Sequence, residues 1–412
     1  MKPISSPSVF LTGFSLLFLT ACTLDSATTA KVVDFGPLPV TAGYFTLKTA
    51  EPEADPSVFV DSNIGDQWQA DFSNQERGLQ PLGKVTLDSK TGEYLGQALQ
   101  DQLYESASCA TLAYSPGGMC AVVVSRDYRI ALAWAPTTEL RTFAKPARVK
   151  NGVRSEDPFP KRQVVGLQSL ELGRDDQRIA RDGYTLLRSL GRTASFVRDD
   201  GTMALLLVWV HSVVQDETWK KSAPGTYCEV EMIFIKDGQP RRVKVRNWNT
   251  DDFASHADVT AAADGSFWFG VNSRELLVWS VNEAGEQSSL RRVAGSRNDR
   301  RHDIEVFGLE PLGAGVVVGW LDSRAAYKYP RFWPNSSLTA HRQIATRTVT
   351  RDEMAPERLL STKSGSVANW VMRASPGGVT LGWIVKTVDP EDPLKTVAGD
   401  QGRLQGIFLP GR

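Results

Sequence analysis

The chain has 412 residues, with 47 Lys plus Arg against 47 Asp plus Glu and a formal charge of zero, which excludes a nucleic-acid binder working by bulk charge. Thirty-four Gly, 22 Pro and 11 Trp in a composition that is 41% hydrophobic are too ordered for a disordered chain and too rich in turns for a helical bundle. A large fold rich in strands is the natural reading, and closed β architectures of this length form a single unit.

Lys2 precedes an apolar stretch from Val9 to Leu19, too short to span a membrane as a mature helix and of the length of a secretory signal core. The stretch ends Leu19-Thr20-Ala21-Cys22, which resembles the lipobox of bacterial lipoproteins. The resemblance implies that residues 1–21 are a signal peptide cut before Cys22, and that Cys22 carries palmitate-type acyl chains. It also implies outer-membrane placement, facing periplasm or exterior, because Thr23 stands where an Asp retains such proteins in the inner membrane. An ordinary signal peptide with a chance Cys is the alternative. Residues 22–33 then read as the acylated Cys and a polar tether, and residues 34–412 as the folded domain. Each buried methylene contributes about 0.8 kcal/mol, so several chains on one Cys anchor firmly. Losing Lys2 with the signal leaves a mature net charge of −1.

Three thiols remain, Cys109, Cys120 and Cys228, in an exported setting that permits disulfides. A turn centred on Pro116-Gly117 pairs Cys120 with Ala113 and leaves Cys109 four residues out of register. At about 3.4 Å per residue that is roughly 13 Å, too far for a disulfide. A bulge or shifted turn restores a Cys109 to Cys120 bridge; pairing through Cys228, or inert buried thiols, are the other readings.

From His256 to Val293 the chain repeats a four-strand grammar. Asp258–Ala263 and Ser266–Val271 flank Asp264-Gly265, read as a two-residue hairpin turn; Leu276–Val281 and Ser288–Val293 follow. About 40 residues holding four antiparallel strands are the span of one β-propeller blade. The grammar recurs from Cys109 to Val149 with Glu139–Val149 as its outer strand, from Thr193 to Trp248, from Ile304 to Ser361 and from Val367 to Leu409. Residues 35–105 hold one more unit. The last unit has only three strands, and the early strand Lys31–Phe35 supplies the missing outer one, so that no edge is left unpaired. The expectation is an all-β, single β-propeller of six four-stranded blades closed by an N-terminal strand. Seven blades is the alternative if residues 150–192 hide a degenerate one. Trp134, Trp209, Trp279, Trp320 and Trp383, each near a strand end, read as rings packing blade on blade.

Val318-Gly319-Trp320-Leu321-Asp322-Ser323-Arg324, with Ile344–Val349 and Pro356–Ser361, resembles a blade of the sialidase-like (BNR-repeat) propellers. Gly377–Trp383 and Gly201–Trp209 resemble the same strand pair. The resemblance implies the fold and carries no catalytic residue. Complete Asp boxes and an early Arg-Ile-Pro motif are missing, and Ala263-Asp264-Gly265-Ser-Phe-Trp268 is a distant echo of the former. One segment, Leu87-Asp88-Ser-Lys-Thr-Gly92-Glu93, resembles a repeat of the assembly-factor propeller lipoproteins.

Strand parity sorts the loops. Those after first and third strands are tight, whereas 211–227, 322–342, 386–402, 249–256 and 294–303 follow second or fourth strands. One face of the ring is therefore plain and the other elaborated, and function tends to sit on long loops held by a rigid scaffold. His211, His256, His302 and His341 fall on the elaborated face. So do the candidate ligand- or partner-binding residues Arg297, Arg300, Arg301, His302, Asp303, Asp322, Arg324, Tyr327, Tyr329 and Trp333. Arg with Tyr and Trp is the composition of protein-binding hot spots and equally of a pocket for an anionic sugar. The other reading is a set of solvated loop charges, with Asp322 and Arg324 joined as a local salt bridge.

No His-Glu-x-x-His, Cys-x-x-Cys, phosphate loop or Gly-x-Ser-x-Gly elbow occurs, so no catalytic residue, metal or cofactor is assigned. The sequence therefore points to an outer-membrane-tethered, non-enzymatic binding or scaffold module. Its partners are the membrane, through the lipid anchor, and an envelope protein or glycan ligand, with no nucleic acid. A sialidase-like glycan-active hydrolase is the alternative.

Overall fold

The structure, a computed structural model, describes residues 30–39, 45–49, 55–62, 65–84, 91–104, 108–115, 118–137, 140–142, 148–150, 153–155, 162–164, 166–181, 184–213, 227–245, 256–272, 275–295, 304–323, 341–361, 365–375, 377–392 and 395–411. Runs that alternate or continue in Val, Ile, Leu and aromatic residues become strands, and tight turns separate them. Strand β1 (Val33–Pro37) comes first and is used last. Blade 1 is β2 (Phe45–Thr49), β3 (Ser57–Ser62), β4 (Asp66–Asp71) and β5 (Leu79–Lys84), followed by helix α1 (Thr91–Leu103). Blade 2 starts with β6 (Ser108–Tyr114), β7 (Met119–Arg126) and β8 (Arg129–Pro136). Four short strands then interrupt it: β9 (Leu140–Thr142), β10 (Arg148–Lys150), β11 (Val153–Ser155) and β12 (Arg162–Val164). They pair as β9 with β12 and β10 with β11. The outer strand of blade 2 is β13 (Gln168–Arg174), which pairs with β8.

Blade 3 has five strands: β14 (Gln177–Arg181), β15 (Tyr184–Val197), β16 (Met203–Val213), β17 (Tyr227–Lys236) and β18 (Gln239–Lys244). Blade 4 is β19 (His256–Ala261), β20 (Phe267–Asn272), β21 (Glu275–Val281) and β22 (Arg291–Gly295). Blade 5 is β23 (Ile304–Leu312), β24 (Gly315–Asp322), β25 (Gln343–Val349) and β26 (Arg358–Leu359). Blade 6 is β27 (Gly365–Ser375), β28 (Gly378–Thr387) and β29 (Arg403–Pro410), and β1 pairs with β29, Val33 opposite Gly406 and Pro37 opposite Arg403. The chain is thus a six-bladed all-β propeller closed by its N-terminal strand, as the three-strand last unit predicts.

Apolar side chains collect in the seams between blades. Trp134 and Trp209 lie between blades 2 and 3, Trp279 between 3 and 4, Trp268 and Trp320 between 4 and 5, and Trp383 between 5 and 6, all buried. Three of the indole N–H groups donate to Glu231, Asp322 and Gln405. Glycine makes room where the next blade comes closest. A Cβ on Gly270 would stand 2.5 Å from the Phe307 ring, and one on Gly382 would stand 2.7 Å from Val58. The seam between blades 1 and 2 differs. There Leu95, Ala98 and Leu99 of α1, spaced along one helical face, pack on Cys120, Val122 and Val124 of β7 and on Ala131, Ala133 and Ala135 of β8.

The structure corrects the sequence reading in five places. Residues 35–105 hold α1 as well as a blade. Segment 139–149 is not the outer strand of blade 2; β13 is, because residues 137–167 are an insertion. Residues 150–192 supply β11 to β14 and the start of β15 rather than a seventh blade. Thr137 N–H donates to Gly118 O, at the end of the sheet that carries the β6–β7 turn, so the insertion leaves from the plain face. The β6–β7 turn itself is one residue longer than expected. Ser115 N–H donates to Met119 O and Cys120 stands opposite Tyr114 rather than Ala113. Asp264-Gly265 likewise closes a three-residue loop, in which Ala262 N–H donates to Ser266 O and Gly265 takes φ 82°.

Cys109, Cys120 and Cys228 form no disulfide among the described residues. A bulge puts Cys109 opposite Val124, four residues along β7 from Cys120. Burial, with the nearby Cys109, pushes the Cys120 thiol up to about 12, which makes it an inert packing group.

Candidate functional site

Of the residues singled out on the elaborated face, Asp322 is described. It ends β24 opposite Ile304 and Gln343, is 2% exposed, and its Oδ2 accepts the Trp320 indole N–H at 3.3 Å. Its carboxylate therefore works inside the seam. Cys22, Arg297, Arg300, Arg301, His302, Asp303, Arg324, Tyr327, Tyr329 and Trp333 lie outside the described residues. The loops carrying Arg297–Asp303 and Arg324–Trp333 join strand ends on the elaborated face, β22 to β23 and β24 to β25. His211, His256 and His341 are spread over blades 3, 4 and 5. His211 is buried with Nε2 3.2 Å from Glu229, and His256 sets its ring edge-on to Phe307 at 5.1 Å. Among the described residues no group of three or more His, Cys, Asp or Glu is placed to hold a metal ion.

The same face brings together residues that the sequence reading did not single out. Strands β7 and β8 are joined by only two residues, Asp127 and Tyr128, at φ 48° and 65°. Such a turn demands the left-handed region at both positions, which Asn-Gly supplies without strain and Tyr does not. Tyr128 is held there 62% exposed. The next turn, between β13 and β14, holds Asp175 and Asp176, the latter at φ 51°. The two turns are tied together, because Asp175 N–H donates to Tyr128 O at 2.7 Å.

The acids of this turn point back into the fold. Asp175 Oδ1 accepts Leu190 N–H at 2.8 Å, and Asp176 Oδ1 accepts the Ser189 hydroxyl at 3.2 Å, fixing β15 at its bulge. What remains at the surface is a cleft of about 630 Å³ lined by Tyr128, Arg174, Gln177, Arg178 and Leu187 with the two Asp residues. Both guanidiniums are exposed, and neither has an ion pair among the described residues. Two free guanidiniums beside an exposed phenol suit a carboxylate or other oxyanion, which they can take bidentately and in plane. The sequence carried a signal for this site: a two-residue link without Gly between two well-marked strands.

Beneath the cleft, the seam between blades 2 and 3 is polar at its upper end. Arg188 stacks 3.8 Å over the Trp209 ring. Glu229 joins His211 at 3.2 Å to Lys244 at 3.0 Å, and Glu231 takes the Trp209 indole and Arg242. Burial works against ionisation of Glu229, but Lys244, Arg188 and His211 outweigh it and hold the carboxyl below its ordinary value.

A second cluster links the innermost strands of blades 4, 5 and 6. Asp258 Oδ2 accepts Leu309 N–H at 2.7 Å, and Glu310 Oε2 accepts Ala374 N–H at 2.9 Å. Arg373 reaches Glu310 at 3.2 Å. Burial pushes Asp258 up to about 6; burial, opposed by Arg373 and reinforced by Asp258, pushes Glu310 up to about 7. Perturbed carboxylates are general-acid candidates. Here, however, each spends its lone pairs on the backbone of the next blade, so the pair acts as an interblade clamp.

No protein-family model matches the sequence, and no curated protein matches it. Among solved structures, a DUF4221 family member from Bacteroides vulgatus is 9% identical, covering 92% of this chain and 96% of its own, with a TM-score of 0.36. Trypanosoma rangeli sialidase is 9% identical at TM-score 0.36 over 92% of this chain, which spans about half (55%) of the sialidase. The phage phi92 endosialidase is 8% identical at TM-score 0.37, covering 93% of this chain and 69% of its own. At these scores the likeness says nothing about activity or ligand.

Proposed function

We propose that the protein is a lipid-anchored envelope propeller that binds rather than transforms, engaging an anionic surface of an envelope protein or surface ligand through its elaborated face. The observation that carries this reading is the cleft between blades 2 and 3. Two turns held at positive φ present Tyr128, Arg174 and Arg178, with no ion pair for either guanidinium among the described residues. Strained backbone persists where surrounding structure over-determines it, and it clusters at binding sites. The segments bearing Arg297, Arg300, Arg301, His302 and Asp303, and Arg324, Tyr327, Tyr329 and Trp333, connect strand ends on the same face. The lipobox, with Cys22 as the acylated residue and Thr23 after it, supports anchoring in the outer membrane. A glycan hydrolase of sialidase-like architecture is less well supported, because the raised carboxylates Asp258 and Glu310 are committed to backbone N–H groups.

The test is site-directed photocrosslinking in intact envelopes, with benzoylphenylalanine replacing Tyr128 or, as control, the plain-face Lys236. The expected result is a discrete adduct at position 128 that Arg174→Ala with Arg178→Ala weakens at least tenfold. An adduct at 236 alone, or one at 128 indifferent to the two arginines, sinks the reading.

A further inference from the structure

Blade 3 carries a fifth strand, β14, at the end of a sheet ordered β14-β15-β16-β17-β18, so that β15 bonds one side of β14 and leaves the other open. Arg181 stands opposite Tyr184 with only Asp182 and Gly183 between them. A pair that closes a two-residue link exchanges its backbone hydrogen bonds, and bonded and non-bonded pairs then alternate along the ladder. Ile179 with Leu186, and Gln177 with Arg188, are therefore bonded pairs. The foot of the ladder agrees. Leu190 N–H, which shares the parity of Leu186 and Arg188, turns away from β16 and donates to Asp175 just before β14. Arg178 and Ala180 consequently aim their N–H and C=O groups away from β15, and no partner for them is found among the described residues.

Folded proteins usually blunt an open strand edge, and β18, at the other end of this sheet, carries Pro240. Strand β14 has no Pro, and its Gln177, Arg178 and Ala180 are exposed. Its side chains alternate between two faces. Ile179 lies on the face of the buried Leu186, whereas Arg178 lies with Leu187 on the face that lines the cleft beside Tyr128 and Arg174. The strand contains two Arg and no acid. Asp175 and Asp176 before it are turned onto β15, and Asp182 follows it in the link. A second copy of β14 laid on this edge would bring cations against cations, whereas an acidic strand brings opposite charges together. A lone carboxylate needs only the guanidiniums. The open edge adds donors and acceptors that recur every second residue, about 6.8 Å apart, a spacing that a peptide backbone matches.

We infer that β14 takes up an extended acidic segment of a partner protein as a sixth strand of the blade 3 sheet. The backbone of Arg178 and Ala180 holds the segment in line, and its alternate carboxylates reach Arg174 and Arg178 in the cleft. Main-chain bonding supplies the affinity, and the alternate side chains supply the choice of partner. The inference gives the form of the ligand at the proposed binding face and rests on that reading.

The probe is a fluorescein-labelled, eight-residue peptide of alternating Val and Glu, read by anisotropy against the purified full-length chain. The expected result is saturable binding that N-methylation of one alternate set of residues abolishes and N-methylation of the other set leaves intact, because only one side of a strand faces β14. Ala180→Pro removes an outward N–H that the ladder does not use, a change that edge strands tolerate, and should weaken binding roughly tenfold. The methylated peptides act on the wild-type chain, so the test stands even where that variant misfolds. No saturable binding, the same effect from both methylation patterns, displacement by free glutarate at equal carboxylate concentration, or unchanged binding by folded Ala180→Pro overturns the inference. Photocrosslinking from position 128 separates it from the binding role. An adduct that needs Arg174 and Arg178 but survives Ala180→Pro keeps the binding face and removes strand addition, whereas no adduct at 128 removes both.

Discussion

Blade 4 and blade 2 are built from the same strand grammar and end up in different surroundings. Blade 4 runs from His256 to Gly295 with sheets on both sides, Trp279 and Phe269 in one seam and Trp268 and Val278 in the other. Among the described residues the core of blade 2 joins a sheet on its blade 3 side and packs on α1 toward blade 1, and its outer strand arrives after an insertion. The difference teaches that a blade's internal ladder is local, whereas its seams are satisfied by whatever apolar face the neighbouring chain supplies. The regular blade is all packing. The irregular one carries the cleft, the strained turns and the insertion.

The sharpest way to break this comparison is to empty one seam of each kind. Trp279→Ala removes a ring that is 1% exposed between two sheets and should cost about 3–5 kcal/mol, read as a lower urea midpoint for global unfolding. Leu99→Ala, from a side chain equally buried under α1, should cost about 2–4 kcal/mol. Hydrogen exchange should show its opening confined first to α1, β6 and β7. If Leu99→Ala instead unfolds the whole ring as cooperatively as Trp279→Ala, the distinction between seams is wrong.

Filling a seam tests the close approach of blades 4 and 5. Gly270→Ala places a methyl against the Phe307 ring and should destabilise by about 1–3 kcal/mol. Phe307→Leu in the same chain should recover part of that loss, which a fault confined to β20 would not allow.

The clamp between blades 4, 5 and 6 gives a pH signature. Asp258 and Glu310 have folded pKa values, about 6 and about 7, above their ordinary 3.8 and 4.5. The folded state therefore holds protons that the unfolded chain has released, and stability from these groups is full below about pH 4 and lost as pH rises through 6 to 7. His256, held below its ordinary value by burial and by Arg192, acts in the opposite sense over that range. The informative quantity is the difference between wild type and Glu310→Gln or Asp258→Asn. The stability advantage of the wild type over either variant should grow as pH falls from 7.5 to 5. A flat difference would remove the clamp from the picture.

The smallest effect belongs to the turn of blade 2. Tyr128→Gly relieves a left-handed non-glycine residue and should raise stability by about 1 kcal/mol while weakening partner capture. A loss of stability would mean that the ring, and not the partner, is what Tyr128 serves.

Much of the fold was legible. The blade 4 strands fell close to their sequence limits because alternation and turn residues are local signals. The missing outer strand of blade 6 pointed to β1 because an unpaired edge has to be satisfied. Trp134, Trp209, Trp279, Trp320 and Trp383 could be assigned to seams because rings of that size flanked by apolar neighbours belong in a core. Less was legible of the site. Asp322 read as a loop-face acid, yet the indole of Trp320 two residues away draws it inward. Arg174 and Arg178 carry no pattern of their own. They become a pair only because Asp175 and Asp176 turn toward β15 and leave them at the surface.

The sequence by itself set six blades against seven, and it marked the strand ladders of the regular blades and the latch. Each depends on hydrogen-bond ladders between neighbours in the chain, on turns a few residues long, or on an edge that must close. Only the tertiary structure decided that α1 fills a seam, that β13 completes blade 2 after an insertion, and that Arg174 and Arg178 come to stand beside Tyr128. Those outcomes depend on which apolar surface is left bare, and which end of a sheet is free, once the ring has closed, and a linear pattern does not encode either.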